Sequence, residues 1–251
     1  MPNSITRALR RTSAGQVLLD YYPRDTELYD EFKVKVPGRV KTLFDTWRSS
    51  ESLNTESLAA HAAYSGGDFL DVGAFHGWYS WLLAPKAREG SSLVSFEPDA
   101  SAYPTLLFNL SVLAAQFRKL SIVPMPKPVG DGSPMSVTFP SGKDGHPQFA
   151  SSTLKEGGSP TLAIDTVVKE LSLAPCFIKV DVEGAEYFVL QGMTQTLSEF
   201  RPKVALELHP QWQPKGVLMD DVEKILLSRG YEKEVVDVSP AAIRQMWTCA
   251  K

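Results

Sequence analysis

Carboxylates and one histidine follow two apolar runs in the second half of the chain. Asp181 and Glu183 follow the first run, and Glu207 and His209 lie at the end of the second. An ionised carboxylate or a neutral imidazole can take a proton from a hydroxyl, and the ordinary pKa of histidine suits this task near neutrality. His209 could instead be a packing or capping residue before Pro210. The residue types therefore predict general-base chemistry with four open candidates: Asp181, Glu183, Glu207 and His209.

Two glycines, Gly73 and Gly77, follow an apolar run that starts at Phe69, and an apolar-periodic segment begins at Trp78. This order is typical of a strand, a tight turn and a helix, where a ligand can approach bare backbone and the helix N-terminus. Dinucleotide sites have a middle glycine at the position of Phe75, and a bulky side chain there would crowd a pyrophosphate. The turn thus favours a nucleoside without phosphates, such as S-adenosylmethionine, over NAD.

A short β-rich run at residues 93–96 ends at Glu97, which lies 24 positions after Gly73. Nucleoside-binding folds present a carboxylate to the ribose at an interval of about 20 residues, because a carboxylate accepts two hydrogen bonds from a vicinal diol. Glu97 could instead cap the helix after Pro98, but Asp99 suits that position better. We expect Glu97 to bind the ribose, with Pro98 beside it.

The most specific stretch is Ile178-Lys-Val-Asp-Val-Glu-Gly-Ala-Glu186, in which an apolar strand ends at an aspartate and a helix follows. Together with Asp71-Val-Gly-Ala-Phe-His-Gly77 and Phe96-Glu-Pro98, it resembles the FkbM-type S-adenosylmethionine-dependent methyltransferases over roughly residues 66–210. The long string is specific to this family, whereas the other two are general for the methyltransferase fold. The resemblance implies O-methylation of a hydroxyl on a sugar or a small secondary metabolite.

Two other functions stay open at this point. A small-molecule N-methyltransferase would need no strong base, so the acidic cluster does not distinguish it from an O-methyltransferase. A catalytically inactive protein could keep the nucleoside site without the chemistry.

The resemblance also implies a cofactor site made by residues at strand ends. By analogy with the fold, the turn at Gly130 and Asp131 lies near the adenine ring, although Asp131 could be a plain turn residue. Asp181 could orient the acceptor or the cofactor's amino group rather than act as the base. The expected cofactor residues are Asp71, Gly73, Ala74, Phe75, Gly77, Glu97, Pro98, Gly130, Asp131 and Asp181.

The candidate bases are also of types that hold Mg²⁺ or Mn²⁺. Some other sugar O-methyltransferases use a metal, but their motif differs from the one in this chain. We therefore expect no metal site.

The elements that must position these residues alternate between strands and helices. Five strand ends carry Gly73, Glu97, Gly130, Asp181 and His209, and ligands bind at the carboxyl ends of strands in open parallel sheets. Together with the resemblance, this pattern predicts an α/β protein with the Rossmann-like class I methyltransferase fold. Such a fold has a seven-stranded, mostly parallel sheet with helices on both faces, and its last strand is expected to be antiparallel.

Local signals predict several helix boundaries. The cluster at residues 54–57 could cap a helix over residues 58–63, and a helix is expected over residues 100–117 with Pro104 in its first turn. Asp165 is expected to cap the helix that contains it. Glu186 is expected to complement the dipole of the helix that it begins.

The chain is expected to have an accessory segment, partly helical, over residues 1–65, ahead of a methyltransferase domain over residues 66–251. The helix of the accessory segment is expected to cover the sheet, and the alternative is that it closes one wall of the substrate pocket. Residues 124–160 hold seven of the chain's 18 prolines. Their position between two predicted strands indicates an active-site loop or hairpin rather than a linker.

The composition bounds the class of protein and its partners. The 251 residues carry a net charge of −3 without a basic block, so we expect a small-molecule acceptor and no nucleic acid. The two cysteines have no metal-ligand spacing, which favours a reducing compartment and a cytoplasmic protein. No run approaches the roughly 18 apolar residues of a membrane-spanning helix.

Overall fold

A computed structural model describes residues 23–27, 33–37, 41, 45, 51–136, 155–156 and 159–249. In chain order the strands are β1 Pro23–Glu27, β2 Lys33–Pro37, β3 Asp68–Val72, β4 Ser92–Phe96, β5 Ser121–Met125, β6 Pro134–Ser136, β7 Lys155–Glu156, β8 Ser159–Pro160, β9 Pro175–Val180, β10 Lys203–Leu208, β11 Tyr231–Val238 and β12 Ile243–Cys249. The helices are α1 Glu51–Ala63, α2 Trp78–Leu83, α3 Tyr103–Gln116, α4 Ile164–Glu170, α5 Glu186–Gln191, α6 Thr194–Glu199 and α7 Met219–Leu227, with short 3₁₀ turns at Ala84–Lys86 and Pro210–Trp212.

A seven-stranded sheet in the order β11-β12-β10-β9-β3-β4-β5 forms the centre of the molecule. Strands β5, β4, β3, β9 and β10 are parallel, and β12 runs antiparallel to both β10 and β11. Val72 pairs in register with Phe96 on one side and Val180 on the other. The three central strands therefore end at the same level, which brings the residues after them to one edge. The predicted fold class is confirmed.

Alternation along the buried strands sends side chains into two apolar layers. Phe69 and Phe177 pack with α1, α2 and α3 on one face, whereas Leu70 and Ile178 pack with α4 to α7 on the other. A strand whose side chains are apolar at consecutive positions is typical of a parallel sheet covered on both faces. Helices on both faces are thus required by the sequence of the central strands.

Helix α1 covers the sheet near its antiparallel edge, where it contacts α2, β11 and β12. Residues 54–57 lie inside this helix rather than capping it, so that prediction is wrong. The helix already begins at Glu51, and Glu56 and Ser57 point inward, where they contact Arg244 and Trp78 instead of free N–H groups at a helix start. Strands β1 and β2 form an antiparallel pair that the sequence had not indicated.

Two other predicted helix starts are corrected. Helix α3 begins at Tyr103 rather than at residue 100, and Pro104 lies in its first turn as predicted. Asp165 does not cap its own helix, because its carboxylate accepts the backbone N–H groups of Gln195 and Thr196 at the start of α6. It therefore joins two helices instead of ending one.

The proline-rich region contributes a small three-stranded sheet in the order β7-β6-β8. Residues 137–154, the middle of the expected active-site loop, lie outside the described residues, as do most of residues 1–50. The division of the chain at residue 65 stays a prediction. Of the helices in the described part of the chain, none is both long enough and apolar enough to cross a membrane.

Candidate functional site

The turn after β3 ties the three central strands together. The N–H groups of Gly73 and Ala74 both donate to the carbonyl oxygen of Phe96, at 3.1 and 2.9 Å. Gly73 has a φ of 81°, and a Cβ placed there would lie 1.7 Å from the carbonyl oxygen of Asp181. A side chain at position 73 is therefore excluded by both backbone conformation and space.

Glu97 is held at the same edge by two backbone donors. Its Oε2 accepts the N–H of Phe75 and its Oε1 accepts the N–H of Asp99, each at 2.8 Å. The carboxyl group is buried, and burial raises its pKa to about 7. A carboxylate has about four lone-pair positions, so each oxygen keeps capacity for one more donor. Glu97 thus fixes the turn at Phe75 and can still accept hydroxyl hydrogens.

Asp71 lies inside the sheet rather than on its edge. It is fully buried, and its Oδ2 accepts a hydrogen bond from the hydroxyl of Ser80 at 2.7 Å, which in turn lies 2.9 Å from that of Ser95. Burial raises the pKa of Asp71. Asp71, which was predicted to bind the cofactor, therefore contacts serine side chains beneath the glycine turn and supports that turn.

The turn at Gly130 is also well defined. The N–H of Gly130 donates to the carbonyl oxygen of Leu162. Gly192 packs against the same turn, since a Cβ placed on it would lie 1.9 Å from the carbonyl oxygen of Gly130. Asp131 is exposed, and its carboxylate accepts the N–H of Ser133. The Asp131 side chain therefore stabilises its own turn, which was one of the two roles left open for it.

The candidate bases converge beyond the end of β9. Ligand atoms of Asp181, Glu207 and His209 all lie within 4.8 Å of one another. Nε2 of His209 lies 3.8 Å from Oδ1 of Asp181 and 3.7 Å from Oε1 of Glu207, too far for direct hydrogen bonds. The other ring nitrogen, Nδ1, lies 2.8 Å from Oε1 of Glu186. The imidazole of His209 thus lies among the carboxyl groups of Asp181, Glu186 and Glu207, which belong to three different segments of the chain.

Two buried cations balance part of this negative charge. Nζ of Lys179 donates to Oδ2 of Asp181 at 2.7 Å, and Nη2 of Arg244 donates to Oε1 of Glu207 at 2.6 Å. Arg244 also donates to Glu56 of α1. Sequence reasoning missed both cations and Glu56. A lysine inside an otherwise apolar strand was the available signal for Lys179, because a buried charge needs a partner.

Burial and charge separate the pKa values within the cluster. Burial opposes the ionisation of Asp181, but the charge of and hydrogen bond from Lys179, together with the charges of His209 and Arg244, outweigh burial and lower the pKa of Asp181. Burial, with the charges of Asp181 and Glu56, raises the pKa of Glu207 to about 8. Neighbouring carboxyl groups with such different pKa values are common at functional sites.

Glu183 lies on a constrained turn beside the cluster. Its φ of 52° is unusual for a residue with a side chain, and Gly184 follows with a φ of 108°. A Cβ on Gly184 would lie 2.3 Å from the carbonyl oxygen of Trp212. Burial and the charge of Asp181 raise the pKa of Glu183 to about 7. The turn therefore holds a second titratable carboxyl group near Asp181.

Comparison with known proteins identifies a family. The model of the methyltransferase FkbM domain matches residues 71–233. No curated protein matches the chain in sequence.

Two solved structures show the same fold. The methyltransferase FkbM of Methylobacillus flagellatus is 17% identical with a TM-score of 0.50, over 84% of this chain and 59% of that protein. The present chain therefore spans less than two thirds of that protein's length. Fibrillarin of Aeropyrum pernix, solved with bound S-adenosyl-L-methionine, is 12% identical with a TM-score of 0.50, over 91% of this chain and 83% of its own.

Proposed function

The chain belongs to the FkbM methyltransferase family, and from this we propose that it uses S-adenosylmethionine to methylate a hydroxyl of a sugar or a small secondary metabolite. The observation that supports this most directly is the arrangement at the sheet edge. The Gly73 turn lies between Glu97 on one side and Asp181 on the other, and His209 lies next to Asp181. A nucleoside site and a proton-accepting cluster are thus neighbours.

The residues at the turn suit a nucleoside that carries no phosphate. Gly73 lets the turn pass close to the backbone of Asp181, where a Cβ would collide, and the fixed carboxyl group of Glu97 can accept ribose hydroxyls. Phe75 occupies the place at which a dinucleotide site needs glycine. Ala74, Gly77 and Pro98 complete the expected wall of this site. When bound, S-adenosylmethionine supplies an electrophilic methyl group on a positively charged sulfur.

The cluster supplies what an acceptor hydroxyl needs. Methyl transfer to oxygen requires the hydroxyl proton to leave, and a positioned base contributes about 10²–10⁴-fold to such a step. We propose that Nε2 of His209 takes the proton and that Asp181, kept ionised by Lys179, accepts a hydrogen bond from another polar group of the acceptor or from the cofactor's amino group. Glu183 and Glu207 have pKa values of about 7 and about 8, so near neutrality both can serve as hydrogen-bond donors to the acceptor.

We also propose that no metal takes part. Lys179 and Arg244 already donate to one oxygen each of Asp181 and Glu207. A divalent cation there would lie close to two fixed positive charges, which repel it in a buried site. The two buried side chains thus supply the positive charge that a metal would otherwise bring.

A screen with labelled methyl donor tests the proposed function. The protein is incubated with labelled S-adenosylmethionine and fractionated metabolite extracts, with and without a chelator. We expect label on a hydroxyl of a small neutral acceptor, at the same rate with chelator. Label on an amine would support an N-methyltransferase instead. Cofactor binding by calorimetry without transfer to any fraction would support an inactive binding protein.

Asp181→Asn then tests the site. Asparagine keeps an oxygen for Lys179 but loses the charge that faces His209. We expect the fold to persist, turnover to fall by about 100-fold and cofactor affinity to change less than turnover. Asp220→Asn, on the exposed start of α7, is the matched control. Equal turnover in Asp181→Asn and the control would move the chemistry elsewhere.

A further inference from the structure

Glu186 contacts His209 although the sequence indicated only a charge at a helix start. Its side chain is fully buried, and its Oε1 lies 2.8 Å from Nδ1 of His209. A helix-dipole role requires no inward orientation, because exposed carboxylates at helix starts serve it equally well. The burial of this charge needs another explanation.

The carboxyl group of Glu186 is fixed on both oxygens. Oε1 also accepts the N–H of Gly184 at 2.9 Å, and Oε2 accepts the side-chain amide of Gln213 at 2.9 Å. Trp212 stacks on the imidazole of His209 with ring centroids 4.9 Å apart and planes inclined by 18°. The ring can therefore neither tilt nor slide without breaking these contacts.

This arrangement selects one form of the histidine. An ionised carboxylate only accepts hydrogen bonds, so the partner nitrogen Nδ1 must carry a hydrogen. In the neutral ring the lone pair then lies on Nε2, which faces Asp181 and Glu207. Without the carboxylate, the ring could equally carry its hydrogen on Nε2 and would then be unable to accept a proton there.

We propose that Glu186 is a positioning residue that holds His209 as the Nδ1–H tautomer, so that Nε2 accepts the proton of the acceptor hydroxyl. The inference rests on the proposed function. The acceptor oxygen forms a bond to the methyl carbon, the electron pair of the broken carbon–sulfur bond stays on sulfur, and the hydroxyl proton moves to Nε2. The resulting imidazolium is stabilised by Glu186 and releases its proton to solvent after the step.

The groups around the ring determine how the pair responds to pH. Glu186 of α5, Asp181 after β9 and Glu207 of β10 face the imidazole directly, with Glu183, Lys179 and Arg244 behind them. Burial alone would lower the pKa of His209, but the hydrogen bond to Glu186 and the charges of Asp181, Glu186 and, once it is ionised, Glu207 outweigh burial and raise it. Removing the charge of Glu186 should therefore lower this pKa.

Nitrogen NMR on the unaltered protein tests the tautomer without any acceptor or cofactor. The chain has four histidines, and labelled histidine gives ring-nitrogen shifts that distinguish the tautomers. Comparison with His209→Gln identifies the signal of His209. We expect a hydrogen on Nδ1 at a pH where the ring is neutral. A hydrogen on Nε2 would overturn the proposal, even if methyl transfer itself is confirmed.

Glu186→Gln tests the consequence for catalysis. We expect turnover to fall about 10- to 100-fold, with little change in the KM of the cofactor. The acidic limb of the pH–rate profile should move to lower pH, because His209 loses the charge that raises its pKa. A purely structural role would lower thermal stability without moving that limb, and this result would overturn the proposal. Glu223→Gln, which lies on α7 and pairs with Lys233, is the matched control.

Discussion

Glu97 connects the shape of the glycine turn with the proposed recognition of a ribose. Because its two oxygens accept the N–H groups of Phe75 and Asp99, the side chain is already oriented before a ligand arrives. Pre-orientation reduces the entropy lost on binding. The same contacts make Glu97 part of the turn, so a substitution there acts on stability as well as on affinity.

Glu97→Ala should weaken S-adenosylmethionine binding by about 1–3 kcal/mol, the range for lost hydrogen bonds to a charged group. It should also lower the melting temperature, since two backbone donors lose their acceptor. Glu97→Gln keeps one acceptor oxygen and should lie between the wild type and Glu97→Ala in both measurements. Calorimetry measures the affinity, with the exposed Glu89→Ala as control. Unchanged affinity in Glu97→Ala would remove Glu97 from the ribose site.

Residue types predicted which side chains meet, but not what holds them. Asp181 and His209 follow neighbouring strands of a parallel sheet, so their approach could be anticipated from the sequence. Arg244 could not be placed beside Glu207, because the two face each other only through the antiparallel register of β10 and β12. The register between two antiparallel strands is a property of the folded sheet, and the order of the residues does not reveal it. The roles of these side chains in catalysis stay predictions.

At the level of elements, the buried strands were the most predictable features and the helix caps the least. Continuous apolar runs with glycine or proline at their ends determine strands locally. Capping depends on which N-terminus a carboxylate can reach in three dimensions. Asp165 accepts two backbone N–H groups and the hydroxyl of Thr196 at the start of α6, so it stabilises the start of a helix other than its own.

Arg244 joins four elements through one guanidinium group. It lies on β12 and donates to Glu56 of α1, Glu207 of β10 and Asp237 of β11. Arg244→Met should lower the free energy of unfolding by about 3–5 kcal/mol, because buried carboxylates lose their counter-charge. Lys233→Met, which removes a more exposed ion pair with Glu223, should cost at most about 1 kcal/mol. Equal losses in urea denaturation would contradict the role given to Arg244.

At the scale of the whole molecule, stability depends on the candidate site, because this site contains more buried acidic than basic side chains. Folding raises the pKa of Glu97 and Glu183 to about 7 and of Glu207 to about 8, and it also raises that of His209. Each of these groups binds more protons in the folded than in the unfolded chain between its two pKa values. The site therefore favours the folded state at the acidic end of this window.

The free energy of unfolding should accordingly fall as the pH rises from about 5 to about 8. Urea denaturation at a series of pH values measures the slope. Glu207→Gln removes one of the titrating groups and should flatten the upper part of the curve. A stability that rises steadily across this interval would show that the carboxyl groups are ionised in the folded protein.

The link from Glu56 to Arg244 affects how the protein can be shortened. A chain that begins at Gly66 keeps the whole sheet but loses Glu56. The guanidinium group would then keep Glu207 and Asp237 as acidic partners but lose the buried carboxyl group of Glu56. Trimming the amino-terminal portion, a routine step toward better crystals, would thus change the charge around Glu207 in the proposed methyl-transfer site from a distance along the chain.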